Sequence, residues 1–410
     1  MLVGAAALAQ DAEVKGLVEQ NRQLVEQVRA QQKQIDELRT RLDHLDSTDP
    51  VRPLPSTAES DRQVRLSGEV GIGYFKSGRD GNYPNSEFRV DDARLFVEAS
   101  VWKNVYFFGG LELTTREAGE EYFHVGELYV DAENLWSPDR KHTLSLRAGR
   151  FNVPFGEEYQ FRNVIDNPLI SHSLADIWGI DEGVQAYGTL GPMHYNLAVQ
   201  NGGNPALYDA NSDKSVVARL SLEATSRLSL SVSAMRTGKL DVARDQFSAL
   251  WFANAFFRAL GPPATTSTFT AELAEIDANY HWSGGQLKGT VGWVSFDDNS
   301  TTADFSRHLS YYSVEGLQNL SEHLFAAARY SAIDAPQGYP LGGQGNAGKY
   351  FYNPFGPRTK QLQRLSVGVG YRFGPPLVWK LEYSWEDGKL VNGTKRSNED
   401  MLSSILGLRF

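Results

Sequence analysis

From Val64 to the last residue, apolar and polar side chains alternate with a period of two, the period of a strand whose two faces meet different surroundings. In the first segment Val64, Leu66, Val70, Ile72 and Tyr74 share one face, while Arg65, Ser67, Glu69, Gly71 and Gly73 share the other. Similar segments recur near 91–102, 104–114, 123–135, 143–152, 183–191, 193–200, 214–224 and 227–236. The second half continues near 270–282, 286–296, 308–318, 322–332, 362–373, 377–386 and 399–410, so the pattern predicts sixteen strands. Short turns at Lys103, Pro138, Gly191, Thr225, Gly284, Asn319 and Pro375 alternate with longer loops, which describes an up-and-down antiparallel barrel. Segments of about ten residues suit a tilted crossing of a hydrocarbon layer. Trp102, Trp136, Trp282 and Trp379 lie beside the short turns, where an interfacial aromatic girdle would place them. A soluble sandwich would need neither the loop asymmetry nor the outward tryptophans. The expected fold is therefore all-β, a sixteen-stranded antiparallel transmembrane β-barrel over residues 63–410, wide enough to leave an aqueous channel.

Before the barrel the period is helical. Val14, Asn21, Val28, Ile35 and Leu42 fall at heptad position a, and Leu17, Leu24, Gln31, Leu38 and Leu45 at position d. Nearly every other position is polar, which favours an N-terminal α-helical coiled coil over 11–47 rather than a helix packed on a domain. Asn21 and Gln31 would sit in the seam and fix register, and the helix would extend roughly 48 Å. Three prolines within residues 48–62 read as a stiff linker. Residues 1–10 read as the end of a secretory signal, with Ala7, Leu8 and Ala9 matching a small-x-small cleavage pattern.

Composition narrows the choice. No apolar run approaches the eighteen or so residues of a transmembrane helix. Cysteine is absent, which removes disulfides, thiolate metal sites and cysteine nucleophiles together. The net charge of -10 disfavours nucleic acid as a partner. The first 62 residues hold 8 basic and 11 acidic side chains, which leaves 32 and 39, a net charge of -7, for the barrel.

Strand parity assigns the interior. Pore-lining candidates on the polar faces are Arg65, Arg94, Arg147 and Arg219 in the first half, and Lys288, Arg329, Arg364 and Arg372 in the second, with Lys380 and Arg409 beside them. The same parity turns Glu69, Glu98, Glu112, Glu127, Asp131 and Glu133 inward, and later Glu223, Glu275, Asp277, Glu315 and Glu382. Positive groups in a confined pore could focus an anion-attracting field. Opposite charges on neighbouring strands pair, however, so a structural role competes with a conduction ladder.

The stretches GRFNVPFG at 149–156, GIDEGVQAYGTLG at 179–191 and YNLAVQNG at 195–202 resemble the phosphate-selective porin O and P family, over essentially the whole barrel. That resemblance implies a trimeric sixteen-stranded porin of the bacterial outer membrane, with the coiled coil in the periplasm and lumenal cations attracting phosphate-like anions. It also implies that the third long loop, 153–182, folds inward as the constriction. This loop carries Glu157, Glu158, Asp166, Asp176, Asp181 and Glu182 against Arg162 alone, with His172 able to titrate near neutrality. Asn152 stands where the family often has lysine, so the phosphate label does not transfer by resemblance alone. The ending SSILGLRF resembles the signal that such barrels present to the outer-membrane assembly machinery.

Reactive chemistry finds little support. GGQGNAG at 342–348 has dinucleotide-type spacing but no following helix, and HExxH, GxSxG and P-loop motifs are absent. His124, His142, His194, His281, His308 and His323 lack metal-ligand spacing, so no catalytic residue, metal or cofactor is expected. The long loop 237–269 contains DQFSALWFANAFFRALGPP, which could plug the mouth, although ordinary loop packing explains its apolar residues more simply. The expected function is a porin passing small hydrophilic solutes through a homotrimer embedded in outer-membrane lipid. Phosphate or another anion is the first specific candidate; the alternatives are a general or weakly cation-preferring pore, and a barrel that anchors an envelope-tethering coiled coil.

Overall fold

The computed structural model describes residues 64–410, apart from 82, 114–123, 140, 178, 203–208, 210, 244–255, 258–259, 261–264 and 342–357. The signal segment, coiled-coil positions 14–45 and the linker lie outside the described residues, as does GGQGNAG.

Sixteen long strands form one antiparallel sheet. They are β1 (Val64–Ser77), β2 (Glu87–Trp102), β3 (Val105–Glu112), β4 (His124–Asp139), β5 (His142–Asn152), β6 (Ile180–Leu190), β7 (Met193–Gln200) and β8 (Ser215–Thr225). The second half comprises β9 (Leu228–Arg236), β10 (Thr268–Trp282), β11 (Gly285–Asp298), β12 (Arg307–Asn319), β13 (Leu324–Tyr339), β14 (Thr359–Gly374), β15 (Leu377–Leu390) and β16 (Met401–Arg409). Two-residue strands at Leu240–Asp241 and Lys395–Arg396 add short ladders at the loop end. The sheet closes because β1 pairs with both β2 and β16, with Val70 opposite Leu408. At the seam, Gly68 and Phe410 exchange backbone hydrogen bonds of 3.0 and 2.9 Å. The count and order match the alternation read from the sequence. Several strands run further at their loop ends, β13 reaching Tyr339, because antiparallel pairing continues past the apolar band.

The barrel is apolar outside and polar inside. On β14, Leu365, Val367, Val369, Tyr371 and Phe373 are all exposed, whereas Arg364 and Ser366 are buried. A water-facing surface would reverse this order, so the outer face suits hydrocarbon. Trp102, Trp136 and Trp282 are exposed beside the short turns, and Trp379 donates its indole N–H to Ser404 Oγ at 3.1 Å. A second group of outward aromatics, Tyr312, Tyr330, Tyr383 and Trp385, lies toward the loop ends.

The interior also holds an apolar cluster that parity alone does not reveal. Phe155, Leu174 and Ile177 from the loop after β5 pack with Phe269, Phe296, Tyr311 and Tyr339 from the wall. Phe256 and Phe257 from the long loop between β9 and β10 join this cluster, with Phe256 5.2 Å from Tyr339 and Phe257 4.9 Å from Phe269 between ring centroids. Both phenylalanines are buried, so at these two positions the loop is packed into the wall.

Candidate functional site: a loop held across the barrel interior

The segment after Asn152 turns inward. Val153 and Phe155 are buried, and a short 3-10 helix spans Glu158–Phe161. Proline at 154 ends the ladder, and Gly156 makes the turn with φ +74. A Cβ at Gly156 would lie 2.3 Å from Glu275 Oε1, so both the backbone angle and the close approach to the wall require glycine. Gly156 N–H then donates to Ser233 Oγ on β9 at 3.0 Å, and Glu157 N–H to Glu275 Oε1 on β10 at 3.3 Å.

Beyond this point the loop reaches the wall far from its own strands. Lys380 on β15 donates to the carbonyl oxygens of Val164 (2.6 Å), Asn167 and Leu169 (3.2 Å). Glu382, two residues along the same strand, accepts from the N–H groups of Ile170 and Ser171 and from Ser171 Oγ. Arg329 on β13 donates to Ser171 O (2.7 Å), to Asn167 Oδ1 (2.8 Å) and to Glu315. Arg364 on β14 donates to His172 O at 3.0 Å and pairs with Glu386 at 2.8 Å. Arg409 on β16 donates to Asn163 Oδ1 and Asp166 Oδ2 at 2.9 and 2.8 Å. Wall glycines make room for the loop's apolar side chains: a Cβ at Gly368 would lie 2.8 Å from Leu169 Cδ2.

The sequence candidates thus separate into groups. Arg219 pairs with Glu157, and Arg329 and Arg364 hold loop carbonyls. Lys288 sits 3.4 Å from the centroid of the Phe161 ring, a cation–π contact with the loop. Arg372 stands apart near the turn end, donating to Asn319 Oδ1 at 3.0 Å and lying over Phe325. Arg65, Arg94 and Arg147 occupy the other wall. Arg65 is opposite Glu98; Arg94 lies 3.1 Å from Asp92 and 3.7 Å from Glu69; Arg147 donates twice to Asp131, at 3.1 and 2.9 Å. The loop's contacts with Arg219, Ser233, Glu275, Arg329, Ser331, Arg364, Lys380, Glu382 and Arg409 fall on strands from β8 round to β16. The inward face of β1–β4, with Glu69, Asp92, Glu98, Glu112, Glu127 and Asp131, is left on the opposite side.

Within the loop, Glu158, His172 and Asp176 come together, their ligand-type atoms within 4.8 Å of one another. Each carboxylate already has donors. Arg162 Nε donates to both oxygens of Asp176 at 3.0 and 2.8 Å, His172 Nδ1 lies 2.8 Å from Asp176 Oδ2, and Ser173 donates N–H and O–H to Glu158. The cluster works as an internal brace, with Arg162 supplying the counter-charge to Asp176. Burial, followed by the nearby Asp176 carboxylate, pushes Glu158 above the usual glutamate range. Burial alone would push Asp176 up as well, but Arg162 and then His172 outweigh it and hold its carboxyl below the usual range.

Strand parity puts Lys380, Arg409 and Glu382 on the polar face but carries no information about the loop as their partner. For Asn163 the local signal is an asparagine before a short turn: its Oδ1 accepts from Ile165 and Asp166 N–H at 3.0 and 2.8 Å.

No family model matches the chain, and no curated protein matches it. Solved structures do. The outer membrane channel DcaP of Acinetobacter baumannii is similar over 87% of this chain and 99% of its own, with TM-score 0.58 and 12% identity. OmpT, an outer membrane protein of Vibrio cholerae, is similar over 87% and 100%, with TM-score 0.56 and 11% identity. An anion-selective porin from Comamonas acidovorans is similar over 85% and 99%, with TM-score 0.53 and 12% identity. The chain has the fold of outer-membrane channels. At such identities the likeness carries the fold and leaves selectivity to this chain's own residues.

Proposed function

We propose that the protein is an outer-membrane porin through which small hydrophilic solutes diffuse passively, with no side chain reacting. The loop 153–179 is the constriction, with Asp181 and Glu182 already on β6; Arg219, Lys288, Arg329 and Arg364 brace it, Arg65, Arg94 and Arg147 line the opposite wall, and Arg372 sits near the turn end. One observation supports a general pore with a weak preference for cations over the phosphate-selective alternative. Arg219, Arg329, Arg364 and Arg409 are paired with carboxylates and Lys380 with loop carbonyls, while the wall opposite the loop sets Glu69, Asp92, Glu98, Glu112, Glu127 and Asp131 against Arg65, Arg94 and Arg147, beside a buried Arg89–Asp91 pair, so that pairing there still leaves carboxylates in excess. Pairing with a carboxylate largely cancels a cation's field, and a cation buried under loop carbonyls is kept from direct contact with a passing anion.

A homotrimer is part of this reading, with 14–45 as a periplasmic coiled coil. Arg150 and Glu182 form an ion pair of 3.0 Å on the outward face of β5 and β6. A charged pair facing acyl chains is costly, whereas a subunit contact accommodates it. The solved OmpT structures include a trimer form.

Purified protein in planar bilayers tests the reading: stepwise, ohmic conductance and swelling of liposomes in small sugars are expected. A folded barrel that yields neither overturns it.

A further inference from the structure

The outer wall carries a groove of about 410 Å³ at the loop ends of β12–β15. It arises where β13 and β14 lose register between Asp334 and Tyr339, and where the Lys395–Arg396 ladder folds back on Gly388 and Lys389. Its floor is Tyr312 and Ala332, and its polar walls are Gln361, Gln363, Lys389 and Lys395, with Asp334 and Asp387 at the edges.

Its depth is fixed by the neighbouring ladder positions. Tyr330, Leu365 and Trp385 stand opposite one another on β13, β14 and β15, and they end the outward apolar band. Two residues further toward the loop end, Ala332, Gln363 and Asp387 begin the groove, and the Tyr330 hydroxyl donates to Gln363 Oε1 at 2.9 Å. The groove therefore opens where hydrocarbon gives way to head groups. Its lining mixes amide donors and acceptors with two ammonium groups. Lys395 is paired with Asp387 at 3.2 Å, and among the described residues Lys389 has no ion pair.

We propose that this groove binds the head group of a phosphorylated glycolipid of the outer leaflet, resting on the outer-membrane reading above. Sugar hydroxyls meet Gln361, Gln363 and the Asp334 and Asp387 carboxylates, and a phosphate meets Lys389 and Lys395. The acyl chains lie along the apolar face that begins at Leu365 and Trp385. Phosphate alone explains the lysines but not the paired amides and carboxylates, and an apolar chain alone explains neither.

The test is native mass spectrometry of the full-length protein with three probes: a bisphosphorylated acylated glucosamine disaccharide, its dephosphorylated form, and phosphatidylglycerol. Preferential binding of the first is expected, weakened roughly fivefold by either Lys389→Ala or Lys395→Ala and lost when Ala332→Trp fills the floor. The lysines are exposed, so their variants decide the matter even if Ala332→Trp does not fold. Equal binding of phosphatidylglycerol, or unchanged binding in the lysine variants, overturns the proposal. Conductance of the same preparations reports on the pore separately.

Discussion

The guanidinium of Arg364, on β14, donates to the main-chain carbonyl of His172 at 3.0 Å across 192 residues of sequence. The arginine is fully buried, and its other partner is Glu386. A residue placed by parity among the pore-lining cations is thus a clamp on the loop.

Replacing it tests the clamp. Arg364→Leu removes one member of a buried ion pair and takes one donor from Glu386 and one from the His172 carbonyl, a change that costs about 3 kcal/mol. Larger single-channel conductance with more open-state noise is expected in planar bilayers. Conductance identical to the parent would mean that the loop is held without this contact.

Gly156→Val addresses the turn into the lumen. The left-handed φ disfavours a β-branched residue, and its Cβ would meet the Glu275 carboxylate. Destabilisation of about 2 kcal/mol or more is expected, read as a lower urea midpoint in detergent. An unchanged midpoint would show that the turn relaxes freely.

The brace of Glu158, His172 and Asp176 gives the loop a pH dependence of known sign. The folded state raises Glu158, so its contribution is complete below the ordinary value of 4.5 and fades as pH rises through the folded value. The folded state lowers Asp176, so its contribution is complete above the ordinary value of 3.8 and is lost as pH falls through the lowered one. The loop should be tightest between those two ordinary values. Hydrogen exchange of amides 157–176 against pH reads this directly, and Glu158→Gln should flatten the loss on the alkaline side. Persistence of that loss in Glu158→Gln would place its origin elsewhere.

The outward pair Arg150–Glu182 bears on assembly. Glu182→Leu leaves Arg150 without its carboxylate partner on the apolar face, held only through its bond to the Gly126 carbonyl at 2.9 Å, which should weaken the trimer, while Arg150→Leu with Glu182→Leu together should give a barrel stable as a monomer. Crosslinking and sedimentation in detergent check both. A trimer unaffected by either variant would move the interface to another face.

Much of the fold was legible in the sequence because strand parity is a local property. Val64 to Tyr74 shows its two faces within eleven residues, and the same two-residue period carried the strand count to sixteen. The inward cluster at Phe256 and Phe257 was not legible, since apolar residues in a loop do not announce which wall they meet. The candidate site was legible by composition and not by partnership. Arg329, Arg364 and Lys380 could be turned inward by parity, but their contacts with Ser171, His172 and Asn167 span 158 to 213 residues, which periodicity cannot register. Lys380, Arg409 and Glu382 therefore looked like lumenal charges, although they bind the loop's backbone and side chains.

The most direct measurement is the reversal potential of the reconstituted protein in a planar bilayer under a KCl gradient, repeated with potassium phosphate. With the basic wall occupied by the loop and the opposite wall rich in carboxylates, a modest potassium preference is expected, with no block by phosphate. A reversal potential of the chloride sign, together with phosphate block at low concentration, would contradict the account and restore the anion-selective reading.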